Sequence, residues 1–316
     1  MTYLFIFMIA CGITFLITPT IRYMALKFSV IDRRNARKIH TRIVTRFGGI
    51  GIYIGFIFAI LSLFLMQFGV NSANSKPLWA IIMASTMILI LGMYDDAKGA
   101  DAKVKFFVQI LATFLLINAG FKIDIVGNPW GDPLNLGIFS IPVTVLWMVG
   151  ITNAINLIDG LDGLAVGIAF ICAMGLFVKF LIVGLVLPAF FAVSLAGACL
   201  GFLRYNFSPA KIFMGDTGSM FLGFSIAALA IWTGQKASTA VVLIVPLLGL
   251  GVPVLDTILA FSRRIIRRQN PFTADKEHLH HLFLKTGLSE KQVVFVFWGI
   301  TLFLNICACY FFCPPQ

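Results

Sequence analysis

From Leu164 to Leu203 the chain carries a single charged side chain, Lys179. A helix needs only ~20 consecutive apolar residues to cross the hydrocarbon of a bilayer, so this run has room for two. The rest of the sequence has the same character. Hydrophobic residues make up 59% and charged residues 12%, against about 25% charged in an average soluble domain. The expected fold is an all-α polytopic membrane protein, a single integral membrane domain over residues 1–316. The N-terminal run Tyr3–Leu26 has neither a basic leader nor a small-residue cleavage site, so it is expected to stay as a span. The net charge of +11 would suggest nucleic acid in a soluble protein. In a membrane protein it is better explained as an orientation signal, and no nucleic-acid partner is expected. The six cysteines lie in or beside apolar runs without CxxC spacing. They read as small buried apolar residues rather than as disulfides or metal ligands.

The apolar pattern predicts about ten spans. They are Tyr3–Leu26, Phe47–Val70, Leu78–Tyr94, Lys105–Gly120, Ile141–Asn153, Leu164–Phe180, Val186–Leu203, Thr217–Thr233, Ala240–Phe261 and Val293–Phe312. The fifth is short for a span, and Lys179 is the one polar marker between the sixth and seventh. With ten spans, 20 of the 24 Lys and Arg residues fall on one set of connections and 4 on the other. By the positive-inside rule the rich set is cytoplasmic and both termini lie outside. The cytoplasmic loops are then about 27–46, 95–104, 154–163, 204–216 and 262–292. On the other face, "FKIDIVGNPWGDPLNLGIFSIP" has short alternating runs around a turn. It reads as a small external β-hairpin, with an irregular loop as the alternative. No internal repeat is evident, which weakens the case for a transporter built from inverted repeats.

Polar residues near a bilayer are costly and mark function by default. Four clusters sit at predicted cytoplasmic ends. "GMYDDAKGADAKVKFFVQ" carries adjacent Asp95 and Asp96. "NAINLIDGLDGLA" carries Asn156, Asp159 and Asp162, whose spacing of three would stack them on one face of a helix. "NFSPAKIFMGDTGS" holds Asp216 between glycines. "RRIIRRQNPFTADKEHLHHLF" combines arginines with His278, His280 and His281. Hard oxygen ligands without thiolates suit Mg²⁺, or Mn²⁺, bound through few carboxylates together with substrate phosphates. Basic side chains beside them suit the phosphate oxygens. The combination fits a metal-bound diphosphate. Each cluster also has a structural reading: a solvated loop for Asp95 and Asp96, an N-cap at Asp162 for the following helix, a turn at Asp216, and lipid anchoring for the arginines. Asp256 lies within an apolar run, two helical turns before Arg263, and reads as a structural pair.

Taken together, "RKIHTRIVTRFGGIGIY", "YDDAKGADAKVKFFVQ", "NAINLIDGLDGLA", "IFMGDTGSMFLG" and "DKEHLHHLFLKTGLS" resemble the polyprenyl-phosphate N-acetylhexosamine-1-phosphate transferases, the MraY/WecA/TagO group. The resemblance covers nearly the whole chain. It implies that a sugar-1-phosphate passes from a UDP-sugar donor to a polyprenyl phosphate lipid acceptor, with release of UMP, as the first membrane step of a cell-envelope glycan such as lipopolysaccharide or teichoic acid. It implies an enzyme of the plasma (inner) membrane with a cytoplasmic active site, and it admits a homodimer. By similarity Asn156 and Asp216 hold Mg²⁺, and Asp159 supports that site. Phe213 stacks on uracil and Asp162 hydrogen-bonds the base. Lys105 contacts the diphosphate, and His278, His280 and His281 hold phosphate or sugar. Asp95 and Asp96 position or deprotonate the lipid phosphate. A phosphate whose second pKa is about 6 is largely ionised near pH 7, so a base, a lysine partner and a metal support all remain open roles for them. The interrupted "HLHH" resembles the WecA/TagO branch, which uses UDP-GlcNAc. The alternative is the phospho-MurNAc-pentapeptide branch, where three histidines run together. "RIVTRFGG" departs from related sequences, which often carry a proline before the Arg-x-Gly-Gly.

Overall fold

The computed structural model of the protein describes residues 1–30, 44–65, 72–126, 134–232, 251, 253–256 and 283–312. Helices dominate. In chain order they are α1 (Thr2–Lys27), α2 (Gly48–Leu65), α3 (Ser72–Lys98), α4 (Ala102–Asn118), α5 (Ser140–Ile158), α6 (Leu164–Val183), α7 (Val186–Asn206), α8 (Gly215–Ile231) and α9 (Glu290–Phe312). Among the described residues, seven helices are long and apolar enough to cross a membrane. The other two, α4 and α8, have 17 residues each. Nine of the ten expected segments fall on these helices. The remaining one, Ala240–Phe261, lies almost wholly outside the described residues.

Packing is organised around α8. All of its residues from Thr217 to Ile231 are buried, and its neighbours are α2, α3, α5, α6 and α7. Around this ring, α1 packs on α2 and α7, α4 on α3 and α5, and α9 on α6. Lipid tails are as apolar as leucine, so close backbone approach rather than hydrophobic exclusion holds such helices together. The sequence supplies small residues for it. In α7, Gly197 and Gly201 lie against the Phe7 and Cys11 carbonyls of α1, where a Cβ would collide.

Two local expectations need correction. The fifth segment is not short: α5 runs to Ile158, because Asn153 and Asn156 are absorbed into its last turns by helix–helix hydrogen bonds. The break between the sixth and seventh segments is not marked by Lys179, which is a buried residue inside α6. The helix ends instead at Gly184, with φ +74. Glycine takes that left-handed C-terminal position at little cost, and Pro188 follows in the first turn of α7, as the punctuation of adjacent helices favours.

At the end of the bundle opposite the Asp95–Asp216 cluster, Ile125 and Val126 pair antiparallel with Asn135 and Leu134. Residues 127–133 between them lie outside the described residues. Ser140 anchors this end by donating to the Ile123 carbonyl (2.7 Å) and to Asp124 (2.9 Å).

Candidate active site

Three helix ends meet the head of α8. The C-terminal turn of α3 brings Asp95 and Asp96, and the first turn of α4 brings Lys105. The last turn of α5 brings Asn156, and the first turn of α8 brings Asp216. The backbone meets closely here. A Cβ on Gly92 of α3 would lie 2.6 Å from the Asp216 carbonyl oxygen, and one on Gly49 of α2 would run into Gly218. Strand-like pairing of the first loop completes the assembly: Phe213 N–H donates to the Thr45 carbonyl (2.8 Å), and Gly48 N–H to the Phe213 carbonyl (3.0 Å).

Lys105 is the electrostatic centre. Its ammonium lies 2.7 Å from the Asp216 carboxylate and also contacts that of Asp95. Asp95 accepts the Ala100 N–H as well, at 2.6 Å. The ammonium offsets two carboxylates that would otherwise repel each other in a poorly solvated cleft. Asn156 donates to Ser219 (2.8 Å). Ser219 in turn donates to the Gly215 carbonyl (3.0 Å).

Asp96, adjacent in sequence to Asp95, has a different environment. Its side chain is fully buried. One carboxylate oxygen accepts the Asp216 N–H (3.0 Å). The other accepts the Thr217 N–H (2.9 Å) and hydroxyl (2.6 Å). The first N–H groups of a helix lack intrahelical partners and carry partial positive charge. Asp96 therefore caps α8 from another helix. The Arg46 guanidinium lies 3.8 Å from the same carboxylate. Gly215 lets the cap approach: its φ is +70, and a Cβ there would overlap the Asp96 carboxylate.

The stretch after Asn156 is not the helical face expected. The helix α5 stops at Ile158, and Asp159 to Gly163 form a turn closed by Gly163 at φ +80. Asp159 and Asp162 thus leave the face that carries Asn156, because two glycines in four residues favour a turn over another helical turn. Asp162 is also not the N-cap of α6. That position is Gly163, which makes no side-chain cap. Asp162 instead accepts the Ala210 N–H (2.8 Å). Burial, reinforced by the charge of Glu290, holds its carboxyl above the usual carboxylate range despite that hydrogen bond. Asn206 ties the same corner, accepting from Gly163 N–H (3.1 Å) and donating to the Ile212 carbonyl (3.1 Å). Phe213 is half-buried beside it.

The structure thus brings Asp95, Asp96, Lys105, Asn156 and Asp216 together. Asp159, Asp162 and Phe213 lie on the loops leading to them. His278, His280 and His281 lie outside the described residues, and so does Arg263, the expected partner of buried Asp256. Sequence reasoning passed over Thr217, Ser219 and Gln109. All three stand inside quoted stretches, Thr217 and Ser219 in "GDTGS" and Gln109 at the end of "KVKFFVQ", in which only charged residues drew an expected role. Among the described residues no three His, Cys, Asp or Glu side chains converge as a metal-holding group. Mg²⁺ needs less, since it binds through one or two carboxylates plus substrate phosphates. The Asp216 carboxylate and Asn156 amide are hard oxygen donors of the right kind.

Comparison with known proteins gives consistent findings. Residues 78–234 match the family described as Glycosyl transferase family 4. A Bacillus subtilis (strain 168) relative named probable undecaprenyl-phosphate N-acetylglucosaminyl 1-phosphate transferase is 39% identical over 303 residues, covering 96% of this chain and 83% of the relative. A decaprenyl-phosphate N-acetylglucosaminephosphotransferase of Mycolicibacterium smegmatis is 35% identical, covering 97% and 82%. A phospho-N-acetylmuramoyl-pentapeptide-transferase of Prochlorococcus marinus is 30% identical, covering 82% and 75%.

Proposed function

The chain belongs to glycosyl transferase family 4, and from that premise we propose that it transfers GlcNAc-1-phosphate from UDP-GlcNAc to a polyprenyl phosphate and releases UMP. The observation that carries the reading is the bridge from Lys105 to Asp95 and Asp216 at the meeting of four helix ends. Such a cluster of one mobile cation and two carboxylates suits a diphosphate and a divalent ion. The donor sugar follows the names of the relatives that are 39% and 35% identical.

In this proposal Asp216 and Asn156 hold Mg²⁺, with Asp159 supporting them. The ion would supply charge neutralisation on the diphosphate and on the leaving UMP. Lys105 exchanges one carboxylate for a phosphate oxygen when the donor binds, so its charge remains paired throughout. Asp95 keeps the ammonium aimed at that position. Asp96 acts through α8, fixing the backbone that presents Asp216. Phe213 and Asp162 flank the nucleobase, and His278, His280 and His281 contact phosphate or sugar. The acceptor phosphate arrives largely ionised near pH 7. Catalysis is then chiefly the cancelling of repulsion between two anions.

The same reading places the protein in the plasma membrane with ten spans, the cluster on the cytoplasmic side, both termini outside and the Ile125–Asn135 pairing within an external hairpin. The 20-to-4 distribution of basic residues supports that orientation.

The test is a donor panel. Purified protein in detergent receives Mg²⁺, undecaprenyl phosphate and labelled UDP-GlcNAc, UDP-GalNAc or UDP-MurNAc-pentapeptide. Lipid-linked GlcNAc-phosphate is expected from the first. Product from the pentapeptide donor alone would assign the chain to the muramoyl branch. Asp216→Asn should abolish turnover while the protein still inserts, and full activity in that variant would remove Asp216 from the site.

A further inference from the structure

One helical turn beneath the cluster lies a second polar layer to which neither motif nor resemblance gives a role. Gln109 stands four residues after Lys105 in α4, Asn153 three before Asn156 in α5, and Met220 four after Asp216 in α8. At 1.5 Å rise per residue, each lies about 4.5–6 Å below its partner in the upper layer. Gln109 is completely buried. Its amide oxygen accepts from Asn153 at 2.8 Å, and its amide nitrogen donates to the Met220 sulfur at 3.6 Å. The Asn153 amide also donates to the Val149 carbonyl at 2.8 Å, which fixes its rotamer within α5. Gln109 therefore touches the same three helices that carry Lys105, Asn156 and Asp216, in the same order.

We propose that Gln109, together with Asn153, is a positioning residue, whose buried amide sets the spacing of α4 and α5 against α8 and so holds Lys105 at Asp216. The kinetic consequence rests on the transferase reading above; the structural one does not. A methionine at 109 fills nearly the same volume but offers Asn153 no oxygen. The upper layer has no other direct link from α4 to α5 among the side-chain hydrogen bonds described. Once the lower link is gone, α4 is held by packing and by Lys105 itself, and any shift of the helix carries the Lys105 ammonium with it. Misplacement of a reacting group by about 1 Å costs on the order of 10²-fold in rate. In the transferase reading Phe213 and Asp162 hold the nucleobase from other loops and Lys105 meets one phosphate oxygen, so donor affinity changes less than the rate.

The experiment compares wild type, Gln109→Met, Asn153→Leu and the double variant in detergent. The first readout needs no substrate: the rate at which an amine-acylating reagent labels Lys105, with Lys98 and Lys103 on the same peptide region as internal standards. Lys105 labelling should rise several-fold in each variant while the standards hold. The second readout is kinetic: kcat should fall at least about 10-fold, the donor KM should move less than about threefold, and the double variant should be little worse than the poorer single, as for two residues acting as one unit. Unchanged Lys105 labelling overturns the proposal, and so does equal acceleration at all three lysines, which signals general loosening. Single-variant losses that multiply in the double also overturn it. A wild type inert with every donor refutes the proposed function, and the labelling still decides the role of Gln109.

Discussion

Replacing Asp96 with asparagine separates two roles for a carboxylate that stands at the candidate active site yet faces no solvent. The wild-type group accepts three hydrogen bonds from the start of α8, two from backbone N–H and one from the Thr217 hydroxyl. An asparagine presents one oxygen and one NH₂, and the NH₂ must face a donor. In its better orientation one donor is stranded and two charge-assisted bonds become neutral. Stranding a buried donor costs about 1–3 kcal/mol, and each charge-assisted bond loses roughly 1 kcal/mol on becoming neutral, about 3–5 kcal/mol altogether. At 1.4 kcal/mol per tenfold this is about two to three and a half powers of ten in the equilibrium for opening this end of α8. Thr217→Val removes the hydroxyl alone and leaves both backbone bonds, for about 1.5–3 kcal/mol. Heat unfolding in micelles, followed by a thiol-reactive dye reaching buried Cys172 and Cys199, reads the difference. The midpoint should fall in both variants and further in Asp96→Asn, with turnover lost in the same order. If Asp96→Asn kept the wild-type midpoint while losing turnover, the carboxylate would be acting on substrate and the capping argument would fail.

Two further outcomes follow from the same geometry. Gly215→Ala should destabilise by more than the 1–2 kcal/mol of roughly one left-handed residue, because its Cβ also lies 2.8 Å from the Asp96 carboxyl carbon; a midpoint equal to wild type would contradict this. For Asp162 the folded carboxyl titrates above its ordinary value near 3.9. Between those two values the folded state holds the extra proton, so stability declines as pH rises through the window and is regained as it falls. Asp162→Asn should flatten that slope in unfolding midpoints taken across the window, and parallel profiles would show that Asp162 does not titrate as described.

Much of this architecture is legible in the sequence because bilayer physics leaves so few options. Long uncharged runs have to be helices, and the boundaries at Lys27, Asn118 and Val183 follow from where polar or glycine residues return. The gathering of Asp95, Lys105, Asn156 and Asp216 was legible as chemistry: acids, an amide and a cation at the ends of apolar runs, joined by the family resemblance. Their geometry was not. Spacing by three suggested a helical face through Asp162, but the glycines at 160 and 163 release the chain into a turn whose shape is fixed by Asn206 and Ala210, over 40 residues away. Likewise, nothing in "YDDAK" tells one aspartate from the other. One pairs with Lys105 and the other caps α8, because successive residues on α3 point about 100° apart toward different neighbours. The role of Gln109 is hidden for the same reason, although it ends a quoted motif: its partners, Asn153 and Met220, are 44 and 111 residues distant.

The enclosure of α8 bears on how the protein sits in membranes of unequal thickness. Helices that face lipid accommodate a thicker or thinner bilayer by tilting, at a fraction of a kcal/mol per Å. A rod sheathed by its own neighbours has no such contact to satisfy, so its depth is dictated by the scaffold alone. The level at which the proposed reaction takes place is therefore carried by the protein's interior. It stays put relative to Asp216 even when the surrounding lipid swells, thins or changes composition.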